Sequence, residues 1–381
     1  KMNDMKGKQG LVCMGLLLVL SSCHTGKQIT ASGLQRKDFQ TEVNGQHTDL
    51  FTLSNKQGME VCITNYGARV VSILVPDRNG KREDVVCGFS TITEYMEQRQ
   101  NFGSTVGRYI GRILNARFTL DGVEYKLVPN NGKSGHISHG GNPGFADRIW
   151  KVEQADTHRV CLSYLSPDGE NGFPGNLKVT LVYSLGEDDN ALDLTYEATT
   201  DAPTVLNLSH HSFFNISGNF TKSVEDQQLW VDADRFTPYD DKKCVTGEYL
   251  PVAGTPLDFR MPHTIGECID ADHPQLKVVN GYDHTWELNT KGDDTRPAAW
   301  VYDPASGRKM EIFTTEPGMQ IYTGNGLKGK MTGKGGIAYP FRSAVCFETM
   351  HFQDSPNQPG FPSTVLRPGE VFRSHTVYKF E

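Results

Sequence analysis

The 381-residue sequence has no glycine fingerprint opening the helix of a βαβ unit, no phosphate-binding P-loop and no Gly-x-Ser-x-Gly elbow. Those absences remove the common signatures of nucleotide cofactors and of serine hydrolases. Its eight cysteines include no Cys-x-x-Cys pair and no zinc-finger spacing, so no metal site is expected. Positive charge is in deficit: 38 Lys and Arg stand against 45 Asp and Glu, a net −7 spread along the chain, which excludes nucleic acid as an expected partner. Long apolar runs are missing as well. The run from residue 11 to 20 falls short of the roughly 17–25 residues that a membrane-spanning helix needs. Helical patterning is nearly absent, and only residues 91–98 read as a helix.

The N-terminal segment has its own order. Lys1, Lys6 and Lys8 precede the apolar run, and Ser21-Ser22-Cys23 follow it, the basic, apolar and small sequence of a signal peptide over residues 1–22. Leu20-Ser21-Ser22-Cys23 also resembles a bacterial lipobox, which makes Cys23 an expected lipidation site and the membrane an expected partner through that anchor. Residues 23–36 then read as a polar, unpatterned tether. The expected location is the bacterial cell envelope or periplasm. Export permits disulfides, yet Cys62, Cys161 and Cys346 lie in strand-like apolar runs and read as buried thiols.

From residue 37 to 381 the chain reads as one domain. Residues 177–198 give the clearest hairpin: Leu177, Val179, Leu181, Tyr183 and Leu185 alternate with polar residues, as do Leu192, Leu194, Tyr196 and Ala198. Gly186-Glu187-Asp188-Asp189-Asn190 supplies its turn. Short strands recur at 117–120, 125–128, 150–153, 160–165, 204–210, 285–288, 310–315, 319–323 and 371–380. With 39 Gly and 19 Pro punctuating them, the expected fold is an all-β sandwich of two large twisted sheets.

Against that background several ionisable side chains sit where packing alone would not select them. In 344–350, alternation puts Ala344, Cys346, Glu348 and Met350 on one face, so one carboxylate stands in an apolar row. Such a group must find a partner, have its pKa raised or do chemistry. A structural pairing with an arginine such as Arg112, in Gly107-Arg108-Tyr109-Ile110-Gly111-Arg112-Ile113, is one reading; sugar or carboxylate recognition by that arginine is the other. His139 precedes two glycines in a turn-rich loop. His210 and His211 are adjacent and, on a strand, point to opposite faces, which disfavours joint metal binding without choosing between them. Asp283 enters a strand from a turn, and Gln320 follows Pro317-Gly318-Met319.

Together these stretches resemble the aldose 1-epimerase (galactose mutarotase) family. The matching motifs are Gly-Arg-Tyr-x-x-Arg-Ile at 107–113, His-Gly-Gly at 139–141, Asn-Leu-Ser-x-His-Ser-x-Phe-Asn at 207–215, Gly-Tyr-Asp-His at 281–284, Pro-Gly-Met-Gln-x-Tyr-Thr-Gly-Asn at 317–325 and Glu-Thr-x-His-Phe-x-Asp-Ser-Pro-Asn-Gln-Pro at 348–359. The resemblance implies a β-supersandwich that interconverts α and β anomers of free hexoses such as galactose and glucose. It implies Glu348 as general base, His211 as general acid, and Arg112, His139, Asp283 and Gln320 as holders of sugar hydroxyls. It implies no metal and no organic cofactor, and it sets no oligomeric state. Two positions depart from the pattern: many members carry Asn where this chain has Gly111, and Asn where it has His210. A non-catalytic sugar-binding protein and a glycoside hydrolase on a related sandwich are the alternatives. The loop 354–362 is expected to hold the end of the Glu348 strand.

Overall fold

The computed structural model describes residues 29–381, so the segment 1–22 read as a signal peptide and Cys23, the expected lipidation site, lie outside the described residues. Two large antiparallel sheets dominate. The nine-stranded sheet runs, neighbour to neighbour, through Lys151–Ala155, Arg159–Ser166, Leu177–Leu185, Ala191–Thr200, Phe372–Phe380, Lys309–Thr314, Ala299–Tyr302, Gln228–Val231 and His263–Thr264. The six-stranded sheet runs through Phe213–Phe214, Val345–Met350, Gly318–Tyr322, Asp283–Glu287, Arg235–Thr237 and Leu250–Pro251. A smaller sheet of four strands, from Leu50–Ser54 to Arg82–Asp84, flanks them. The all-β sandwich expected from the sequence is the fold observed.

The predicted hairpin forms with Leu177 opposite Thr200 and Leu185 opposite Leu192, and its apolar set is buried. Helix is confined among the described residues to Ile92–Gln98, Pro274–Val279 and short 3-10 turns. The first is stopped upstream by a capping box, in which the Glu94 N–H donates to the Thr91 hydroxyl at 3.2 Å while the Glu94 carboxylate accepts from the Thr91 N–H at 2.9 Å. The predicted strand at 204–210 divides into Thr204–Val205, paired with Val365–Leu366, and Ser209–His211, paired with Ser104–Val106, because the chain changes partners around Asn207, which bridges to Tyr109. None of the described helices is long and apolar enough to cross a membrane.

The polar stretch read as tether is packed from Thr30 onward. The carboxylate of Glu60, 2% exposed, accepts the N–H groups of Ala31 and Ser32 at 3.0 and 3.1 Å, and Leu34 and Phe39 are buried. Polarity concealed this because the docking is led by a buried carboxylate needing donors rather than by an apolar pattern. The six described cysteines, Cys62, Cys87, Cys161, Cys244, Cys268 and Cys346, are all free thiols.

Every residue of Val345–Met350 is buried, but its two faces do different work. Val345 and Phe347 point into the main core with Met319, Ile321 and Trp286 from the neighbouring strands. Burying a side chain of that size contributes about 1.5–3 kcal/mol. Beneath them the central strand Phe372–Phe380 holds the sheet at a set height: the Tyr378 hydroxyl donates to the Phe347 carbonyl at 2.9 Å, and Thr349 and Thr376 hydroxyls meet at 2.7 Å. The opposite face carries Cys346, Glu348 and Met350 toward a cleft.

Candidate active site

The strand register assembles one wall of the cleft. Glu348 lies opposite Gln320, Gln320 opposite Thr285, and Asp283 opposite Tyr322. With a two-residue period, Asp283 and Thr285, Gln320 and Tyr322, and Glu348 and Met350 therefore share the cleft face. The facing wall comes from shorter pieces. Arg112 pairs with Ser138 in a two-residue ladder, which brings His139 beside it, and His211 sits in Ser209–His211, paired with Ser104–Val106. The cleft, open on one side, measures about 240 Å³, room for one small polar ligand.

At its floor His211 Nε2 stands 3.3 Å from Glu348 Oε1, with the two residues 6% and 3% exposed. Burial, reinforced by the nearby Asp283, drives the Glu348 pKa well above the usual carboxylate range. Burial, reinforced by His139, drives His211 well below the usual imidazole value. Both shifts favour the uncharged forms of the two side chains. His211 stacks on Phe213 at a centroid distance of 5.0 Å, and its Nδ1 is buried without a protein partner. The imidazole is thus oriented by the Phe213 face and by Glu348.

The two adjacent histidines separate as alternation requires. His210 points away from the cleft, its Nε2 2.6 Å from the Ser212 hydroxyl and its ring between Tyr183 and Tyr378; burial lowers its pKa to about 3. It is a satisfied core residue. Among the arginines, Arg108 also turns inward, donating to the carbonyls of Pro174, Gly175 and Ser166. Arg112 remains in the cleft, and the structural pairing with Glu348 is not formed. Its one side-chain bond is a 3.4 Å contact from Nη1 to the Lys243 carbonyl, and no carboxylate lies in ion-pair range among the described residues.

His139 adopts a left-handed backbone, φ 52°, and its Nδ1 accepts the Gly111 N–H at 3.5 Å. That bond leaves the neutral ring's proton on Nε2. Burial, with Arg112 adding to it, lowers the His139 pKa to about 4, so it serves as a neutral donor. The following Gly140 is required: a Cβ there would sit 1.9 Å from the Gly107 carbonyl oxygen. Asp283 is raised by burial, against the pull of Arg112 and of the Gln320 amide, which donates to its Oδ1 at 2.7 Å.

All six residues anticipated for catalysis or binding, Glu348, His211, Arg112, His139, Asp283 and Gln320, line this one cleft. Sequence reasoning missed Gln353 and Tyr239. Gln353 occupies an unspecified position of the 348–359 motif, one residue before the loop 354–362; it lines the cleft. Tyr239 comes from a loop with no motif, and its hydroxyl accepts from Gln353 Nε2 at 2.6 Å. The donor atoms of His211, Cys346 and Glu348 lie within 4.8 Å of one another, the one such metal-capable group among the described residues. Burial holds the Cys346 thiol well above its ordinary pKa, in the protonated form that ligates poorly.

Comparison with known proteins places these features in a wider set. Residues 49–379 match the family model described as aldose 1-epimerase. The chain is 40% identical over 331 residues to a galactose mutarotase from Bos taurus, covering 87% of this chain and 93% of that one. It is 36% identical over 339 residues to an aldose 1-epimerase from Escherichia coli K12, covering 88% and 96%. Among solved structures, an aldose epimerase homologue from C. elegans superposes with a TM-score of 0.81 at 31% identity, over 88% of this chain and 99% of that one.

Proposed function

This chain belongs to the aldose 1-epimerase family, and from that premise we propose that it interconverts the α and β anomers of free hexoses such as D-galactose and D-glucose, with Glu348 as base and His211 as acid. One observation carries the assignment: a buried carboxylate and imidazole 3.3 Å apart in a cleft lined by Arg112, His139, Asp283 and Gln320.

The reaction asks for that arrangement. In a cyclic hexose O1 and O5 are both bonded to C1, so the groups serving them must be neighbours. Glu348 takes the O1 proton as His211 gives a proton to O5; the C1–O5 bond breaks, and the electron pair from O1–H becomes the carbonyl of the open-chain aldehyde. Rotation about C1–C2 turns the other carbonyl face to O5. Closure runs the steps backward with the roles exchanged, His211 recovering the O5 proton and Glu348 returning one to O1. The pair starts and ends with one proton. Burial strengthens Glu348 as a base once the proton resides on His211, and each group supplies about 10²–10⁴-fold. Arg112, His139, Asp283 and Gln320 hold the remaining hydroxyls while the ring is open.

The binding-protein and hydrolase alternatives are not favoured, since relatives spanning the chain are mutarotases and epimerases. Polarimetry on freshly dissolved α-D-galactose and α-D-glucose tests the reading. The protein should accelerate mutarotation of both, and Glu348→Gln should lower kcat by about 10²–10⁴-fold. An unchanged spontaneous rate with every common aldose, or glucose release from a disaccharide, would refute it.

We also propose that the protein is exported and anchored through a lipid on Cys23; the basic, apolar and small order of residues 1–22 and the Leu20-Ser21-Ser22-Cys23 sequence support this. Cys23→Ala should move the protein from the membrane to the soluble fraction. Retention on the membrane would argue against the anchor.

A further inference from the structure

Gly111 has φ +76°, and a Cβ built on it would stand 2.5 Å from Gln353 Cγ and 3.0 Å from Gln353 Cδ. The Gln353 side chain, 4% exposed, therefore occupies the space that any larger residue at 111 would need. Its carboxamide is used at both ends. Oε1 accepts the Arg112 N–H at 3.2 Å, while Nε2 donates to the Tyr239 hydroxyl at 2.6 Å and to Gln320 Oε1 at 3.3 Å.

These bonds decide which way Gln320 faces. Gln320 Oε1 also accepts from the Thr285 hydroxyl, so two donors converge on it. An amide flipped the other way would set its NH₂ against the Gln353 NH₂ and its oxygen against the Asp283 carboxylate. Held as it is, Gln320 sends Nε2 to Asp283 Oδ1 at 2.7 Å, which leaves the other Asp283 oxygen for a ligand hydroxyl. Through its second end Gln353 also fixes the backbone from which Arg112 projects.

We infer that Gln353 is a positioning residue of the sugar site: by filling the space beside Gly111 it sets the orientation of Gln320 and Asp283 and the path of the Arg112 backbone. This rests on reading the cleft as a hexose site. It acts on binding rather than on proton transfer, because Gln353 makes no bond to Glu348 or His211.

The test is a small set of full-length variants read by polarimetry, by calorimetric binding of D-galactose and by thermal unfolding. Gln353→Leu keeps the bulk and removes the bonds; it should raise KM and weaken galactose binding about 10-fold or more while kcat stays within about threefold, consistent with loss of well-placed polar contacts. Gly111→Asn, a residue that tolerates the left-handed backbone, should collide with Gln353, lowering the unfolding midpoint and raising KM. Adding Gln353→Ala to Gly111→Asn should recover part of both losses. Strict additivity of the two changes, or an unchanged KM and binding constant in Gln353→Leu, would overturn the inference. The outcomes separate from those for the enzyme itself. A protein that binds galactose without turning it over defeats the epimerase reading and leaves the Gln353 binding arm intact. One that binds no hexose still reports the Gly111–Gln353 coupling in its unfolding midpoint, and additive midpoints there would again overturn it.

Discussion

His210 and His211 are one peptide apart and differ in nearly every property that matters. His211 faces the cleft with Glu348, whereas His210 packs between Tyr183 and Tyr378 with its ring nitrogens near Ser212 and Tyr183. The two substitutions should give opposite phenotypes. His210→Asn should lower stability by about 1–3 kcal/mol, the cost of a lost buried ring and its hydrogen bonds, while kcat stays within about threefold. His211→Asn should do the reverse, and urea unfolding beside polarimetry checks both. Alternation alone separated these two residues onto opposite faces but could not say which face met the cleft; the motif resemblance chose His211. Glu348 was legible as an odd carboxylate in an apolar row. Its partner was left open by the strand pattern, which could not choose between an arginine and a histidine, and His211 came only from the motif resemblance. Gln353 stayed hidden for a related reason: its role depends on contact with Gly111, Gln320 and Tyr239, none of them near it in sequence.

At the scale of elements, the His211–Glu348 distance is set by how Ser209–His211 meets Val345–Met350. Asn207 joins them: its Oδ1 accepts the His351 N–H at 3.0 Å and its Nδ2 donates to the His351 carbonyl at 2.9 Å. The side chain thus imitates one rung of a sheet just where the predicted strand 204–210 is interrupted. Removing it leaves two backbone groups short of partners, at about 1–3 kcal/mol each. A shift near 1 Å in a catalytic pair can cost about 10²-fold. Asn207→Ala should therefore lower kcat by about that factor, with a smaller change in galactose affinity, since Asp283 and Gln320 sit on strands that Asn207 does not touch. Calorimetry and polarimetry on the same variant distinguish this from general loosening, which would weaken both together. The break in the strand was not legible, because Asn-Leu-Ser among apolar neighbours alternates acceptably and only the tertiary fold passes the chain from Val365–Leu366 to Tyr109 and on to Ser104–Val106.

At the scale of the whole molecule, the central strand Phe372–Phe380 closes the nine-stranded sheet late in the chain, between Ala191–Thr200 and Lys309–Thr314. His375 marks that closure. Its Nε2 meets Asp193 at 3.1 Å and its Nδ1 meets Asp294 at 2.7 Å, and the Asp193 hydrogen bond, against the opposing effect of burial, raises its pKa to about 9. A folded pKa above the ordinary value of 6.5 means that the contribution is fully present below pH 6.5 and is lost as pH rises through about 9. Because the site is partly open to solvent, the contribution is about 1 kcal/mol. Urea midpoints should fall between pH 6.5 and 9.5, and His375→Gln should flatten that slope; an equal slope in the variant would exclude His375 as its source. The sandwich class was legible from short alternating strands and frequent Gly and Pro. Strand order was not, since pairing residue 193 with 377 or 311 with 379 leaves no local trace.

The central claim is that Glu348 and His211 work as one proton-sharing unit, and a double-mutant cycle on mutarotation of α-D-galactose tests it most directly. Glu348→Gln and His211→Asn should each lower kcat by about 10²–10⁴-fold, and the double variant should be hardly slower than the worse of the two, as groups acting together behave. Losses that multiply, or a Glu348→Gln protein with full activity, would contradict it.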